Sequence, residues 1–201
     1  NINTFISFLN YWREKNNNNS VSALLTIRDN NGKKLHREFF PLQDFVYQFD
    51  MSQMIKPVES FIGSCEIELF SNQDLKFAFP AIDAYYESPD GISYVHSNQR
   101  VFNDLEDLDR NSKMNDWQSA FDIYANDQYS GYLSIINGPR LVKDSKLRLA
   151  IFNINGEKFD STVDLGDLAP YASRFILLRD IPNVKEFLKN EVGFCKVNID
   201  T

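Results

Sequence analysis

A short turn pattern occurs twice in this chain, each time between two strand-like stretches. "DNNGKKL" at residues 29–35 and "NINGEKF" at residues 153–159 share an Asp or Asn, a Gly three positions later and a Lys two positions after that Gly. The Asn-Gly pair within each turn supplies the positive φ that a tight hairpin needs. The pattern predicts two β-hairpins, which is a strong constraint on the fold.

Three matches between the halves of the chain occur in the same order along both. At offsets of 127, 124 and 130 they are "ISFLN" (6–10) with "LSIIN" (133–137), "ALLTIRDNNGKKL" (23–35) with "LRLAIFNINGEKF" (147–159), and "GSCEIEL" (63–69) with "GFCKVNI" (193–199). The offsets differ only by loop-sized insertions. Colinear self-similarity indicates a duplicated β module, and chance resemblance between β-rich sequences is the alternative.

Both cysteines of the chain, Cys65 and Cys195, follow a Gly by two positions. Apolar residues at 65, 67 and 69, and again at 195, 197 and 199, alternate with polar ones, which is typical of a half-buried strand. A thiol on the inward face of such a strand has a raised pKa and is inert. We therefore expect both cysteines to pack in a core.

The remaining elements are read from alternation and turn signals. We predict a strand over 4–12, a polar surface loop at "REKNNNNS", a loop or short helical turn ended by Pro57, and a hairpin through "SPDG" at 88–91. "IPNVKEFLKN" predicts a short helix with Asp180 as its cap and Pro182 in its first turn. Short strands without long helices between them indicate a mainly β protein, with antiparallel β-sandwich modules (Ig-like or jelly-roll-like) in tandem.

The duplication suggests a domain organisation. We expect a first β-sandwich module over 1–103, an acidic linker over 104–117 and a second, apparently incomplete copy over 118–201. The sequence predicts either a segment of a longer array of such modules or two similar halves on either side of a unique central segment. Its first residue is Asn1 rather than Met, so we expect a processed chain, a trimmed one or a piece of a longer protein.

Charge and hydropathy exclude several function classes. The net charge is −7 and the pI is near 4.9, so the basic footprint of a nucleic-acid binder is missing, and anionic membrane surfaces are disfavoured. No apolar run approaches the ~20 residues of a membrane span. We expect a soluble protein without membrane insertion, in the cytoplasm or secreted with its signal removed.

Motifs for catalysis and metal binding are weak. Asp107, Asp109 and Asn111 occupy the first, third and fifth positions of an EF-hand loop, but Ser112 stands in place of the Gly and Gln118 in place of the bidentate Glu. We favour a solvated acidic linker over a calcium site at the module junction. The chain contains no Gly-rich phosphate loop, HExxH or GxSxG pattern, and we expect no cofactor.

Aromatic residues are the main binding candidates. Tyr85, Tyr86, Tyr94, His96 and Arg100 cluster in sequence around a predicted hairpin, where they form either an ordinary exposed strand or a polar recognition patch. A second group around the junction is Tyr124, Tyr129 and Tyr132. Flat rings with a polar edge suit the stacking of sugar rings, so such surfaces predict a carbohydrate or protein partner.

The repeated order of an apolar strand ending in Asn ("ISFLN", "LSIIN"), an alternating strand into a D/N-x-x-G turn, and a later Gly-x-Cys strand resembles the sensory rhodopsin transducer family and related small bacterial β-sandwiches. It covers about seventy residues of each copy. The resemblance implies a sandwich fold and a non-enzymatic, partner-binding role, and it carries over no functional residue and no rhodopsin partner.

Three functional hypotheses follow. The first is a non-catalytic tandem β-sandwich that binds a protein or carbohydrate partner, with the two copies giving reach or avidity. The second is an enzyme with a site between the modules near His96, Arg100, Glu106 and Asp107. The third is a structural array element. Unpaired strand edges further predict a homo-oligomer formed by edge pairing or strand exchange.

Overall fold

A computed structural model describes residues 2–55, 61–73, 75, 81–98 and 119–200. By its contacts the chain forms two compact units, one of Asn1–Arg28 and Lys34–Arg110, the other of Asp29–Lys33 and Asn111–Thr201. The strand pairs are antiparallel, which confirms the predicted mainly β, antiparallel class. The predicted linker 104–117 and Pro57 lie outside the described residues.

Among its described residues, the first unit contains two sheets, in the orders β4-β1-β6-β7 and β3-β2-β5. Its elements are β1 (Asn3–Leu9), α1 (Tyr11–Asn16), β2 (Ser22–Asp29), β3 (Lys34–Pro41), β4 (Val46–Asp50), α2 (Met51–Met54), β5 (Gly63–Phe70), β6 (Ala81–Ser88) and β7 (Gly91–Asn98). Alternating residues of both sheets, such as Phe8 and Leu25, are buried in one core. Two sheets around one core make a sandwich-like unit.

The prediction of a strand over 4–12 followed by a loop is wrong at its end, because β1 ends at Leu9 and a helix begins at Tyr11. Asn10 terminates the strand: its side-chain Oδ1 accepts a hydrogen bond at 3.2 Å from the backbone N–H of Arg13, which is an N-cap. Trp12 of the short helix is buried in the core. Alternation in the sequence cannot distinguish this turn of helix from two further strand residues.

The second unit also has two sheets, in the orders β11-β10-β13-β8 and β12-β9. Its elements are β8 (Ser119–Ile123), β9 (Tyr132–Ile136), β10 (Val142–Phe152), β11 (Lys158–Leu168), β12 (Ser173–Leu177), a 3₁₀ turn (Leu178–Asp180), α3 (Val184–Leu188) and β13 (Gly193–Asp200). Leu149, Ile151 and Cys195 are fully buried in its core.

The predicted helix near residue 184 is confirmed, but its predicted start is wrong. Asp180 ends the 3₁₀ turn, and α3 starts after Asn183, which adopts a left-handed φ of 65°. Asn tolerates that conformation better than most residues. Leu178 and Val184, which lie before and after this residue, are both buried.

The pairing of β1 with β4 and that of β9 with β12 have the same register. Leu9 lies opposite Val46 in the first unit, and Ile136 lies opposite Ser173 in the second. Adding 127 to both residue numbers of the first pair gives the second pair. The same shift converts the four other β1–β4 pairs into the four other β9–β12 pairs. Both units also place a hairpin strand and a Gly-x-Cys strand on either side of one central strand, β2 or β10.

The two hairpin turns use the same hydrogen bonds. In the first, Asp29 Oδ1 accepts from the N–H groups of Asn31 and Lys33, each at 2.9 Å. In the second, Asn153 Oδ1 accepts at 3.0 Å from the N–H groups 124 positions further on, those of residues 155 and 157. The glycines of the turns have φ of 83° and 77°, so the positive φ predicted for both is confirmed.

An asparagine holds the end of β1 in the first unit and of β9 in the second. Asn10 Nδ2 donates to the carbonyl oxygens of Leu42 and Asp44, both at 3.3 Å. Asn137 Nδ2 donates to the carbonyl oxygens of Leu168 at 3.0 Å and of the two residues 140 and 169. We call these two sets of contacts the asparagine bridges. They explain why the apolar strand ends in Asn in both halves.

Candidate functional site

The hairpin of β6 and β7 carries the aromatic residues that the sequence singles out. Its two strands are joined by Pro89 and Asp90, and the pairs Ser88–Gly91, Tyr85–Tyr94 and Asp83–His96 follow from that short loop. This hairpin was predicted from "SPDG" and is confirmed. β1 lies on the other side of β6, and Phe5 is opposite Tyr85.

Alternation along the strands separates the candidates into two groups. Ile82 is buried and Ala84 packs against the core, so these residues and Tyr86 face one side of the sheet. Tyr85 and Tyr94 face the other side. We call the outward surface formed by Phe5, Asp83, Tyr85, Ile92, Tyr94 and His96 the tyrosine face.

Tyr86 does not belong to the tyrosine face. It lies opposite Ser93 on the inward side, and burial raises the pKa of its phenol. Tyr86 is 36% exposed on that side of the sheet, and its role in ligand binding stays a prediction. Adjacent residues of a strand point to opposite faces, so two consecutive tyrosines cannot share one binding surface of a sheet.

The tyrosine face is exposed and has an apolar and a polar part. The rings of Tyr85 and Tyr94 are 6.1 Å apart between centroids and are tilted by 33°. Ile92 and Tyr94 are 70% and 68% exposed. Next to them His96 Nδ1 lies 3.2 Å from Asp83 Oδ1, an ion pair when the imidazole is protonated.

The remaining members of the predicted sites cannot be placed. Arg100, Glu106 and Asp107 lie outside the described residues, as does the EF-hand-like segment, so the hypothesis of an enzyme site near them stays a prediction. Among the residues that the structure describes, no three His, Cys, Asp or Glu side chains are grouped as metal ligands. Nor does the described part contain a helix with the length and apolar character needed to cross a membrane.

Both thiols are packed as predicted. Cys195 is fully buried, and Cys65 is half-buried against the core of the first unit. Burial raises the pKa of each thiol to about 12, and the carboxylate of Glu66 adds to the effect at Cys65. A thiol with such a pKa is a poor nucleophile at neutral pH.

The second unit exposes a further aromatic pair. Tyr132, predicted from the sequence, stacks on Phe175 with ring centroids 4.6 Å apart, and the two side chains are 53% and 50% exposed. Tyr124 and Tyr129, predicted with Tyr132, are 45% and 67% exposed and flank the bridge between Ala125 and Ser130. Phe175 was missed because β12 pairs with β9 from far along the chain.

Three members of the tyrosine face, Phe5, Asp83 and Ile92, were also missed in the sequence. Asp83 was recoverable, because a two-residue hairpin loop fixes the register and so places residue 83 opposite His96. Phe5 was not, because its neighbour Tyr85 is brought beside it by a long-range strand pairing. Local turn chemistry therefore predicts the members of the face that belong to the hairpin, including Ile92, but not Phe5.

Comparison with known proteins adds no functional information. No protein-family model matches the chain, and no curated protein matches it. The resemblance to the sensory rhodopsin transducer family stays a prediction.

Proposed function

We propose that this chain is a non-catalytic binding protein that holds a neutral carbohydrate on the tyrosine face. The single observation that carries the proposal is the register of β6 and β7, which puts Tyr85 next to Tyr94 and Asp83 next to His96 on one exposed surface. A sugar ring has an apolar face that stacks on aromatic rings and hydroxyl groups that bond to polar side chains. The tyrosine face offers both within one hairpin.

Charge supports a neutral ligand. The protein carries a net charge of −7, so an anionic polymer is repelled over the surface as a whole. On the tyrosine face itself, the carboxylate of Asp83 is beside the imidazole of His96. A carboxylate accepts hydrogen bonds and an imidazole nitrogen can donate them, which suits the hydroxyl groups of an uncharged sugar.

The open geometry argues for binding rather than catalysis. The side chains of His96 and Asp83 are 49% and 33% exposed on a sheet face. Catalytic groups gain from exclusion of water in a closed site, and this pair lies in the open. The two thiols, with pKa values raised to about 12, are unsuited to act as nucleophiles.

We further propose that the two units are copies of one module, as the sequence predicts. Support comes from the common register of β1–β4 and β9–β12, the common hydrogen bonds of the two turns and the two asparagine bridges. A tandem pair gives avidity toward a polymer that reaches both copies. Tyr132 of the second unit occupies the register position that Phe5 has in the first.

Affinity electrophoresis tests the carbohydrate proposal. Native gels that contain a soluble β-glucan, an α-glucan or a mannan should retard the protein in at least one case. Tyr94→Ala should weaken the binding about fivefold, because one stacked ring contributes about 1 kcal/mol. Phe39→Ala is the matched control, since that aromatic side chain of β3 is 58% exposed and lies off the tyrosine face. No retardation by any of the polymers, or equal loss in both variants, would refute the proposal.

A further inference from the structure

Strand β9 uses only one of its two edges within the described residues. It pairs with β12, and no other described strand lies along it. Asn137 donates its backbone N–H to Ala172 at 2.8 Å, and Gly131 accepts from Leu178 at 3.0 Å, both on the β12 side. Successive residues of a strand alternate the direction of their backbone groups, so the N–H and C=O groups of residues 132, 134 and 136 point to the open edge.

An apolar groove runs beside that open edge. It has a volume of about 290 Å³ and lies between β9 and the strands β8, β10 and β13. Its apolar lining comes from Phe121, Leu133, Ile135, Leu147, Val197 and Ile199. A row of backbone donors and acceptors next to an apolar groove is what a β-strand needs to bind in an extended conformation.

The first unit shows what fills the same place there. β1 corresponds in register to β9, and its second edge is occupied by β6, which runs antiparallel with Ser7 opposite Asp83. Ile82 of β6 lies opposite Phe8, and Ala84 lies opposite Ile6. These two side chains, two positions apart, cover the core of the first unit.

We infer that the open edge of β9 and its groove bind an extended peptide segment that resembles β6. The segment adds to β9 as an antiparallel strand and places two apolar side chains, two residues apart, over the groove. By the correspondence of β1 with β9, these side chains lie opposite Ile135 and Leu133. The inference goes beyond carbohydrate binding and does not depend on it, because the tyrosine face takes no part.

A labelled synthetic peptide with the sequence of residues 81–88, "AIDAYYES", is the direct probe. Fluorescence polarisation should show saturable binding to the whole chain. A control peptide in which the residues corresponding to Ile82 and Ala84 are both Asp should bind at least tenfold more weakly, because it puts charge into an apolar groove. Absence of saturable binding, or equal binding of both peptides, would overturn the inference.

The matched protein variants are Ser134→Pro and Ser7→Pro. The N–H of Ser134 points to the open edge, so proline should leave β9–β12 pairing and the circular dichroism spectrum intact while it lowers peptide affinity at least tenfold. Ser7 is the corresponding residue of β1, where the same alternation points the N–H toward β6. Ser7→Pro should therefore disturb the native spectrum of the first unit.

One more protein variant and two further measurements distinguish peptide binding from carbohydrate binding and from self-association. Ser119→Glu, an exposed rim residue of the groove, should also lower peptide affinity without affecting folding. Tyr94→Ala should leave peptide binding unchanged, and Ser134→Pro should leave retardation by polysaccharide unchanged. If sedimentation shows a dimer of this chain that Ser134→Pro dissociates, the edge binds a second copy and the peptide proposal is wrong.

Discussion

β1 and β9 have the same register against their partners but different neighbours on the other edge. Each pairs with its partner strand, β4 or β12, in the same register, and each is followed by an asparagine bridge. β1 carries β6 on its second edge, whereas β9 meets no strand there among the described residues. The two strands share a common register against β4 and β12 and a common inward face. Whether a second strand such as β6 pairs with the other edge therefore depends on other parts of the chain.

The contact between the central strand, β2 or β10, and the Gly-x-Cys strand beside it also differs between the units at the level of side chains. In the first unit Arg28 of β2 forms an ion pair with Glu66 of β5 at 2.6 Å. In the second, Lys196 of β13 lies over the ring of Phe152 of β10, 5.7 Å from its centroid. An ion pair and a cation–π contact thus occupy corresponding positions, so the backbone arrangement does not depend on either interaction.

The largest expected loss of stability comes from substitutions in the two hydrophobic cores. Leu25 and Leu149 stand at corresponding positions of β2 and β10 and are 0% and 1% exposed. Each change to Ala should lower the free energy of unfolding by about 2–5 kcal/mol, because it removes buried apolar surface and leaves a cavity. Urea denaturation followed by circular dichroism measures both. Leu35→Ala, at a 38% exposed site, is the control, and a cost below about 1 kcal/mol for either core change would break the comparison.

The asparagine bridges should stabilise both units, but by less than the core leucines do. Asn10→Ala and Asn137→Ala should each lower the free energy of unfolding by about 1–3 kcal/mol, because the carbonyl groups that accept from Nδ2 lose a partner. The same denaturation experiment checks this. The exposed Asn72→Ala should change stability by no more than about 0.5 kcal/mol. A large effect in only one unit would mean that the bridges are not equivalent.

A difference between the units predicts a stabilising change. Thr26 is fully buried and its Oγ1 makes no hydrogen bond within the described residues, while the corresponding residue of β10 is the buried Ala150. Thr26→Val should raise the free energy of unfolding by about 1 kcal/mol, because it removes an unsatisfied hydroxyl. Thr162→Val at an exposed strand position is the control. Destabilisation by Thr26→Val would show that the hydroxyl has a partner.

The smallest expected effect concerns the reactivity of the two cysteine thiols. At pH 8 both thiols are protonated in the folded protein because burial raises their pKa from 9.0 to about 12. A thiol reagent should label the folded chain slowly, with the half-buried Cys65 ahead of the buried Cys195, and both rapidly in urea. Fast labelling of Cys195 in the native protein would contradict the packing.

The raised pKa of the two thiols also determines the sign of the pH dependence of stability. Above pH 9 the unfolded chain loses its thiol protons, whereas the folded chain keeps them until about pH 12. The unfolded state therefore binds fewer protons in this range, and the free energy of unfolding should fall as the pH rises from 9 to 12. Replacing both cysteines by Ala should weaken that alkaline decline.

Local patterns predicted most of the strands and little of their arrangement. The hairpin at 29–33 and the β6–β7 hairpin follow from turn chemistry, and the Gly-x-Cys strands follow from alternation. The helix at Tyr11–Asn16 was missed because its cap, Asn10, also reads as the last residue of a strand. Long-range neighbours such as Phe5 and Tyr85, or Tyr132 and Phe175, depend on pairings that no local signal encodes.

The asparagine bridges have a consequence for the kinetics of refolding. Asn10 reaches Leu42 across 32 residues, and Asn137 reaches Leu168 across 31. Closing a flexible loop costs entropy that depends on the logarithm of its length, so the two closures carry nearly the same entropic barrier. A difference in the rates at which the two units refold would then come from features other than these closures, such as the long-range pairing of β1 with β6.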